Sequence, residues 1–176
     1  MSPNKRKMLS DWEAPYLQSL IHLIETQSKK TLIHWVLDYS EECLLPLWKK
    51  HFEEDLRPAE AIQAARSWVA GDIKLPEAKK SILRCHEAAR EAEGNPIAQA
   101  VARAIGQSAS TIHSPRHCIG LALYGALGEA YDRWGTEAPW ERILEAAADA
   151  CGRMEAALRT IALTDEKNPA KISWKC

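Results

Sequence analysis

Apolar residues recur along most of this chain at spacings of three and four, with polar residues between them. This spacing is typical of α-helices that bury one face, and the strict alternation expected of β-strands is nearly absent. Proline and glycine interrupt the pattern at intervals that mark helix ends. The pattern predicts an all-α fold, a compact array of about seven helices over residues 12–27, 31–44 with a short extension at 47–52, 58–70, 76–92, 96–112, 115–134 and 138–163.

The most apolar of these segments follows Pro115. Residues 118–130 contain no lysine or arginine, which predicts that helix 115–134 lies in the centre of the array. It carries Gly120, Gly125 and Gly128, although glycine inside a helix costs about 1 kcal/mol relative to alanine. We expect these glycines to allow a neighbouring helix to approach closely.

Length and composition favour one domain spanning residues 1–176, with tails at 1–10 and 165–176 and with Trp174 able to fold back onto the body. The net charge of −1 predicts no affinity for nucleic acid or acidic membranes. No apolar run reaches membrane-spanning length, and residues 1–10 lack the apolar stretch of a secretory signal. The five cysteines form no CxxC pair and indicate reduced thiols in a cytoplasmic protein.

His113 and His117 stand four residues apart around the Ser114-Pro115 step. If the helix continues through Pro115, the two imidazoles share a face and could bind a metal together. If Ser114 is instead the N-cap and Pro115 the first helical residue, His113 lies outside the helix and His117 in its first turn. The second geometry is the more natural for a Ser-Pro step.

His86 is a third candidate ligand beside the apolar stripe of helix 76–92, in mid-helix, where it need not reach His113. A metal would need a further ligand, for which Asp38, Glu41, Cys85 and Cys118 are open possibilities. Half-buried histidines more often bond to a backbone carbonyl than to a metal. The sequence carries no GxSxG, Walker or HExxH motif. It therefore predicts neither an enzyme nor a cofactor, but a polar and aromatic binding set: Arg57, Trp68, His86, His113, Arg116, His117 and Tyr124.

Three ordered motifs carry a family resemblance: Arg57-Pro58-x-x-Ala61-Ile62-x-Ala64-Ala65-Arg66-x-Trp68, His86-x-Ala88-Ala89-Arg90, and Thr111-x-His113-x3-His117-x2-Gly120-x3-Tyr124. Over residues 31–135 the chain resembles the Imm-5-like putative immunity proteins of bacterial toxin-immunity systems. The resemblance implies an all-α, non-enzymatic protein that neutralises a cognate toxin by direct contact. Two alternatives stay open. One is a metal- or small-ligand-binding protein using His86, His113 and His117, and the other is a helical scaffold that forms a homodimer.

Overall fold

The structure, a computed structural model, describes residues 5–175. All regular elements within this range are helical, which confirms the predicted all-α array. The α-helices are α1 (Pro15–Ile24), α2 (Lys29–Tyr39), α3 (Leu45–His51), α4 (Arg57–Ala70), α5 (Leu75–Glu91), α6 (Pro96–Ser110), α7 (Leu127–Trp134) and α8 (Trp140–Ile161). Prolines stand in the first turns of α1, α3, α4, α5 and α6, where their missing N–H costs no helical hydrogen bond.

Helices α2 and α3 are continuous, because a π-helical turn, Ser40–Leu44, joins them. The Leu45 amide donates to the Ser40 carbonyl at the end of this turn. Pro46 follows immediately, so its missing N–H falls where the helix has already changed its hydrogen-bond register. The helix therefore continues through Pro46 by means of a π turn.

Segment 115–134 is helical throughout but changes type twice. It starts as a 3-10 helix, Pro115–Ile119, continues as a π-helical turn, Leu121–Ala126, and ends as α7. The prediction of one helix here is right in extent, while the sequence pattern did not reveal the changes in hydrogen-bond register. Gly135, whose positive φ of 78° favours glycine, ends the segment.

The core lies where segment 115–134 packs against α6. Leu121, Leu127 and most residues of α6 are buried. The close approach predicted from the glycines is confirmed: a Cβ added to Gly128 would lie 2.9 Å from Val101 Cγ2. Helices α4, α5 and α6 pack side by side on one flank, while α8 packs against α1, α2 and α7.

Both terminal segments are attached to the helical body. The Leu9 amide donates to the Leu123 carbonyl at 2.9 Å, and Leu9 is buried. At the other end, the Ala170 amide donates to the Gln27 carbonyl, and the Trp174 indole donates to Glu25 at 2.8 Å. Residues 5–10 and 165–175 lie outside the helices, and these hydrogen bonds dock both segments on the helical body, with Trp174 folded back onto it. Residues 1–4 and Cys176 lie outside the described range.

The described cysteines are reduced: Cys85, Cys118 and Cys151 are buried and Cys43 is half-buried. Burial raises the pKa of the Cys85 and Cys151 thiols to about 12, so they stay protonated at neutral pH. Within residues 5–175, none of the helices combines the length and the apolarity that crossing a bilayer requires.

Candidate functional site

The Ser-Pro step at the start of segment 115–134 places two histidines side by side. Ser114 is extended, with φ −147° and ψ 120°, and Pro115 opens the 3-10 helix. The structure therefore has the second of the two predicted geometries, with His113 outside the helix. The imidazole rings nevertheless meet edge-on, with centroids 4.9 Å apart.

Gln107 of α6 holds the second of these rings. Its side-chain oxygen lies 2.8 Å from His117 Nδ1. A carbonyl oxygen can only accept, so His117 donates from Nδ1, and its Nε2 carries the lone pair. The contact is close because Gly120, which lacks a Cβ, leaves room for the Gln107 side chain.

His86 approaches the same end of α6 from the neighbouring helix α5. Its ring lies over Gly106, where an added Cβ would be 2.5 Å from Cε1 and 2.8 Å from Nδ1. Nδ1 is buried and has no hydrogen-bond partner among the described residues. The sequence left open whether His86 reaches the histidine pair. In the structure its ring lies over Gly106, which directly precedes Gln107, the partner of His117.

The surroundings of all three imidazoles lower their pKa values and so favour the neutral form. Burial is the largest cause for each of them. It lowers the pKa of His117 to about 4, helped by His113, Arg116 and His86. Lys79 and Lys29 further lower the pKa of His113, and Arg103 and Arg90 further lower that of His86.

Four cations thus act electrostatically on these histidines, and we call the seven residues together the histidine face: His86, His113 and His117 with Lys29, Lys79, Arg90 and Arg103. Helical spacing places Lys79, His86 and Arg90 on one side of α5. None of the four cations forms an ion pair within residues 5–175. Arginines elsewhere are paired, namely Arg57, Arg66, Arg84, Arg133, Arg153 and Arg159.

A cleft of about 280 Å³ adjoins the histidine face. We call it the aromatic cleft; its polar and aromatic walls are Trp12, Gln107, Arg116, His117, Tyr124 and Trp174. The Trp12 and Trp174 rings are 6.1 Å apart and tilted by 52°. Three candidate residues thus meet here: Arg116, His117 and Tyr124. The sequence pattern did not single out Trp12 or Gln107. Trp12 reaches the cleft only because the fold brings it next to Trp174, near the other end of the chain.

The two remaining candidates lie apart from the cleft. Arg57 is committed to structure, because it bonds to Asp55 at 2.7 Å and to Glu91 at 2.6 Å between α4 and α5. Trp68, on α4, lies under Lys29, whose Nζ is 5.6 Å from the ring centroid. Since Lys29 also acts on His113, Trp68 borders the histidine face.

The donor set does not favour the metal alternative. Across residues 5–175, no three or more histidine, cysteine or carboxylate side chains are grouped so that they could hold a metal ion. His117 Nδ1 is already bonded to Gln107, and the ring packs edge-on against His113. The arrangement is instead a firmly packed surface of neutral imidazoles, cations and indoles.

Comparison with known proteins adds one positive result. The family model described as Imm-5 like putative immunity protein matches residues 22–157. This range includes the whole histidine face and extends beyond the resemblance recognised at residues 31–135. No curated protein and no solved structure matches the chain.

Proposed function

Because the chain belongs to the Imm-5 like putative immunity protein family, we propose that it protects a bacterial cell by binding a cognate protein toxin directly, without catalysing a reaction. The family match over residues 22–157 is the observation that carries this proposal. The matched range contains α2 to α7 and most of α8, and so includes most of the walls of the aromatic cleft.

We place the toxin contact on the histidine face and its border, Trp68. Tryptophan, tyrosine and arginine are the residues that most often dominate binding at protein interfaces. Trp68 and Tyr124 are half-buried, so their rings are held by the fold while an edge remains accessible. A surface held in this way loses little side-chain entropy when a partner binds.

The aromatic cleft, of about 280 Å³, is lined by polar and aromatic side chains that suit contact with a protein partner. It has room for one or two side chains of a partner. The buried thiols are protonated, and their raised pKa values offer no activated nucleophile near this surface.

Co-expression with toxins encoded by bacteria that carry this gene tests the proposal. We expect the protein to restore growth and to co-elute with the toxin in size-exclusion chromatography. Replacing Trp68 and His113 by alanine should weaken the complex about tenfold or more. Replacing His22 and His51, which are exposed on other surfaces, gives the matched control and should change nothing. Absence of both complex and growth rescue would overturn the proposal.

A further inference from the structure

The charge around the three histidines is of one sign. Every charged residue that shifts their pKa values is a cation or another histidine: Lys29, Lys79, Arg90, Arg103, Arg116, His113 and His86. The acids on α5 nearest to His86 and Lys79 are Glu87 and Glu77. Glu87 follows His86 by one position and Glu77 precedes Lys79 by two, so helical spacing directs them to the flanks.

This excess of positive charge is local, because the chain as a whole has a net charge of −1. Elsewhere arginines are neutralised by carboxylates, as for Arg66 with Asp38 and Glu41. Arg103 is half-buried without a carboxylate partner within residues 5–175, an arrangement that costs desolvation energy in the free protein. A negative partner would recover that energy on binding.

We infer that the histidine face binds an acidic surface of a protein partner, with Lys79, Arg90 and Arg103 as its principal charge contacts. The inference rests on the proposed toxin contact and specifies its chemistry. A protein is favoured over nucleic acid because the face combines its cations with half-buried imidazoles that can accept hydrogen bonds from backbone amides and, once protonated, donate to carboxylates. Trp68 at its border supplies an apolar anchor of the kind found in protein interfaces.

The histidines contribute a second element of recognition. His117 donates from Nδ1 to Gln107, which leaves Nε2 as an acceptor while the ring is neutral. When a carboxylate approaches, proton uptake at Nε2 becomes favourable because the negative charge stabilises the imidazolium. Binding of an acidic surface should therefore be accompanied by proton uptake.

The experiment uses a fluorescein-labelled oligoglutamate peptide and the full-length protein, followed by fluorescence anisotropy at low ionic strength. Its result does not depend on identifying a toxin, so failure here is distinguishable from failure of growth rescue. The test variant is Lys79→Gln/Arg90→Gln/Arg103→Gln. The control, Lys49→Gln/Lys167→Gln/Lys171→Gln, removes the same charge at exposed positions away from the face.

We expect the test variant to weaken peptide binding about tenfold and the control variant to change it less than about threefold. Since Arg103 is half-buried, Lys79→Gln/Arg90→Gln alone is measured as well, with circular dichroism to verify folding. In the parent protein, the histidine Cε1–H signals in proton NMR should move on peptide addition and shift toward the protonated form.

Three results would overturn the inference. The first is no detectable peptide binding, and the second is equal weakening by both triple variants, which would show that the charge acts globally. The third is tighter binding of an oligoadenylate RNA of the same length, or of phosphatidylserine vesicles, with the same loss in the test variant. That outcome would assign the face to nucleic acid or to an anionic membrane.

Discussion

Gln107 and His117 are joined by a hydrogen bond of 2.8 Å between the amide oxygen and Nδ1 of the ring. This bond sets the tautomer of His117, which belongs to both the aromatic cleft and the histidine face. It connects α6 to the 3-10 helix at the point where Gly120 allows the two backbones to approach.

Replacing Gln107 by leucine should change the preferred tautomer of His117. Without the amide oxygen, the Nδ1 proton loses its acceptor, and we expect the ring to shift toward the Nε2–H form that predominates in unconstrained histidine. Nitrogen-15 NMR of the imidazole measures the change directly. Gln63→Leu, at an exposed position of α4, is the control. An unchanged ring in Gln107→Leu would show that other contacts set the tautomer.

Glycine-to-alanine substitutions should change the free energy of unfolding in opposite directions at Gly120 and Gly152. A Cβ on Gly120 would collide with Cβ of Gln107, which sits close to the backbone and cannot rotate away. We expect Gly120→Ala to lower the free energy of unfolding by about 1–3 kcal/mol through overpacking. A Cβ on Gly152, inside α8, meets nothing within 4 Å, so Gly152→Ala should raise it by about 0.5–1 kcal/mol. Urea denaturation of both variants measures the two changes in the free energy of unfolding.

Stability should fall as the pH drops below 6.5. In the folded protein His117 has a pKa of about 4, against an ordinary value of 6.5, and the pKa values of His86 and His113 are also lowered. Below pH 6.5 the unfolded chain binds more protons at these sites, so the free energy of unfolding decreases, until the folded form also titrates near pH 4 for His117.

Denaturation between pH 7.5 and about 4 measures this slope. Carboxylates titrate in the lower part of the range, and the comparison with His117→Gln isolates the imidazole. The variant should show a shallower loss than the parent, while His51→Gln, at an exposed position of α3, should follow the parent curve. Parallel curves for all three proteins would contradict the assignment.

Tyr39 should stabilise the fold through the half-buried carboxylate of Glu129. Its hydroxyl donates to Glu129 at 3.0 Å, and the Glu129 side chain is only 13% exposed. Burial raises the pKa of Glu129, while the Tyr39 hydrogen bond and Arg153 act in the opposite direction. Tyr39→Phe removes one of the donors and should lower the free energy of unfolding by about 1–3 kcal/mol.

The control for Tyr39→Phe is Tyr124→Phe. No hydrogen bond of the Tyr124 hydroxyl is found within residues 5–175, and its ring is half-buried, so losing the hydroxyl should change stability by less than about 0.5 kcal/mol. Thermal denaturation of the two variants gives the comparison. Similar losses in both would mean that the Glu129 hydrogen bond contributes little.

Hydrophobic spacing and the placement of proline and glycine predicted the helices because both act through local geometry. Pro58, Pro76 and Pro96 each lie in the first turn of a helix, as expected. The π turns escaped prediction because a single extra residue per turn barely alters the three-and-four pattern. The docking of residues 5–10 could not be read from local spacing, because the acceptor of the Leu9 amide, the Leu123 carbonyl, is far away in the sequence.

The candidate site was likewise predictable only in its local features. The spacing of His113 and His117 placed them together, and Ser114-Pro115 predicted the local geometry. The position of His86 could not be deduced, because it depends on how α5 and α6 meet at Gly106. Trp12 and Trp174 entered the cleft wall through long-range contacts that no local pattern encodes.

The contact between Trp12 and Trp174, with ring centroids 6.1 Å apart, also bears on how the order of the helices along the chain could be changed. Residues 12 and 174 lie side by side although most of the chain separates them. Joining the segments that carry them through a flexible linker, and reopening the backbone at the exposed turn of Gly71 and Asp72, would yield a circular permutant with α5 first and α4 last. In such a molecule the two indoles would be near neighbours in the sequence, so the cleft wall would no longer depend on two separate segments remaining docked.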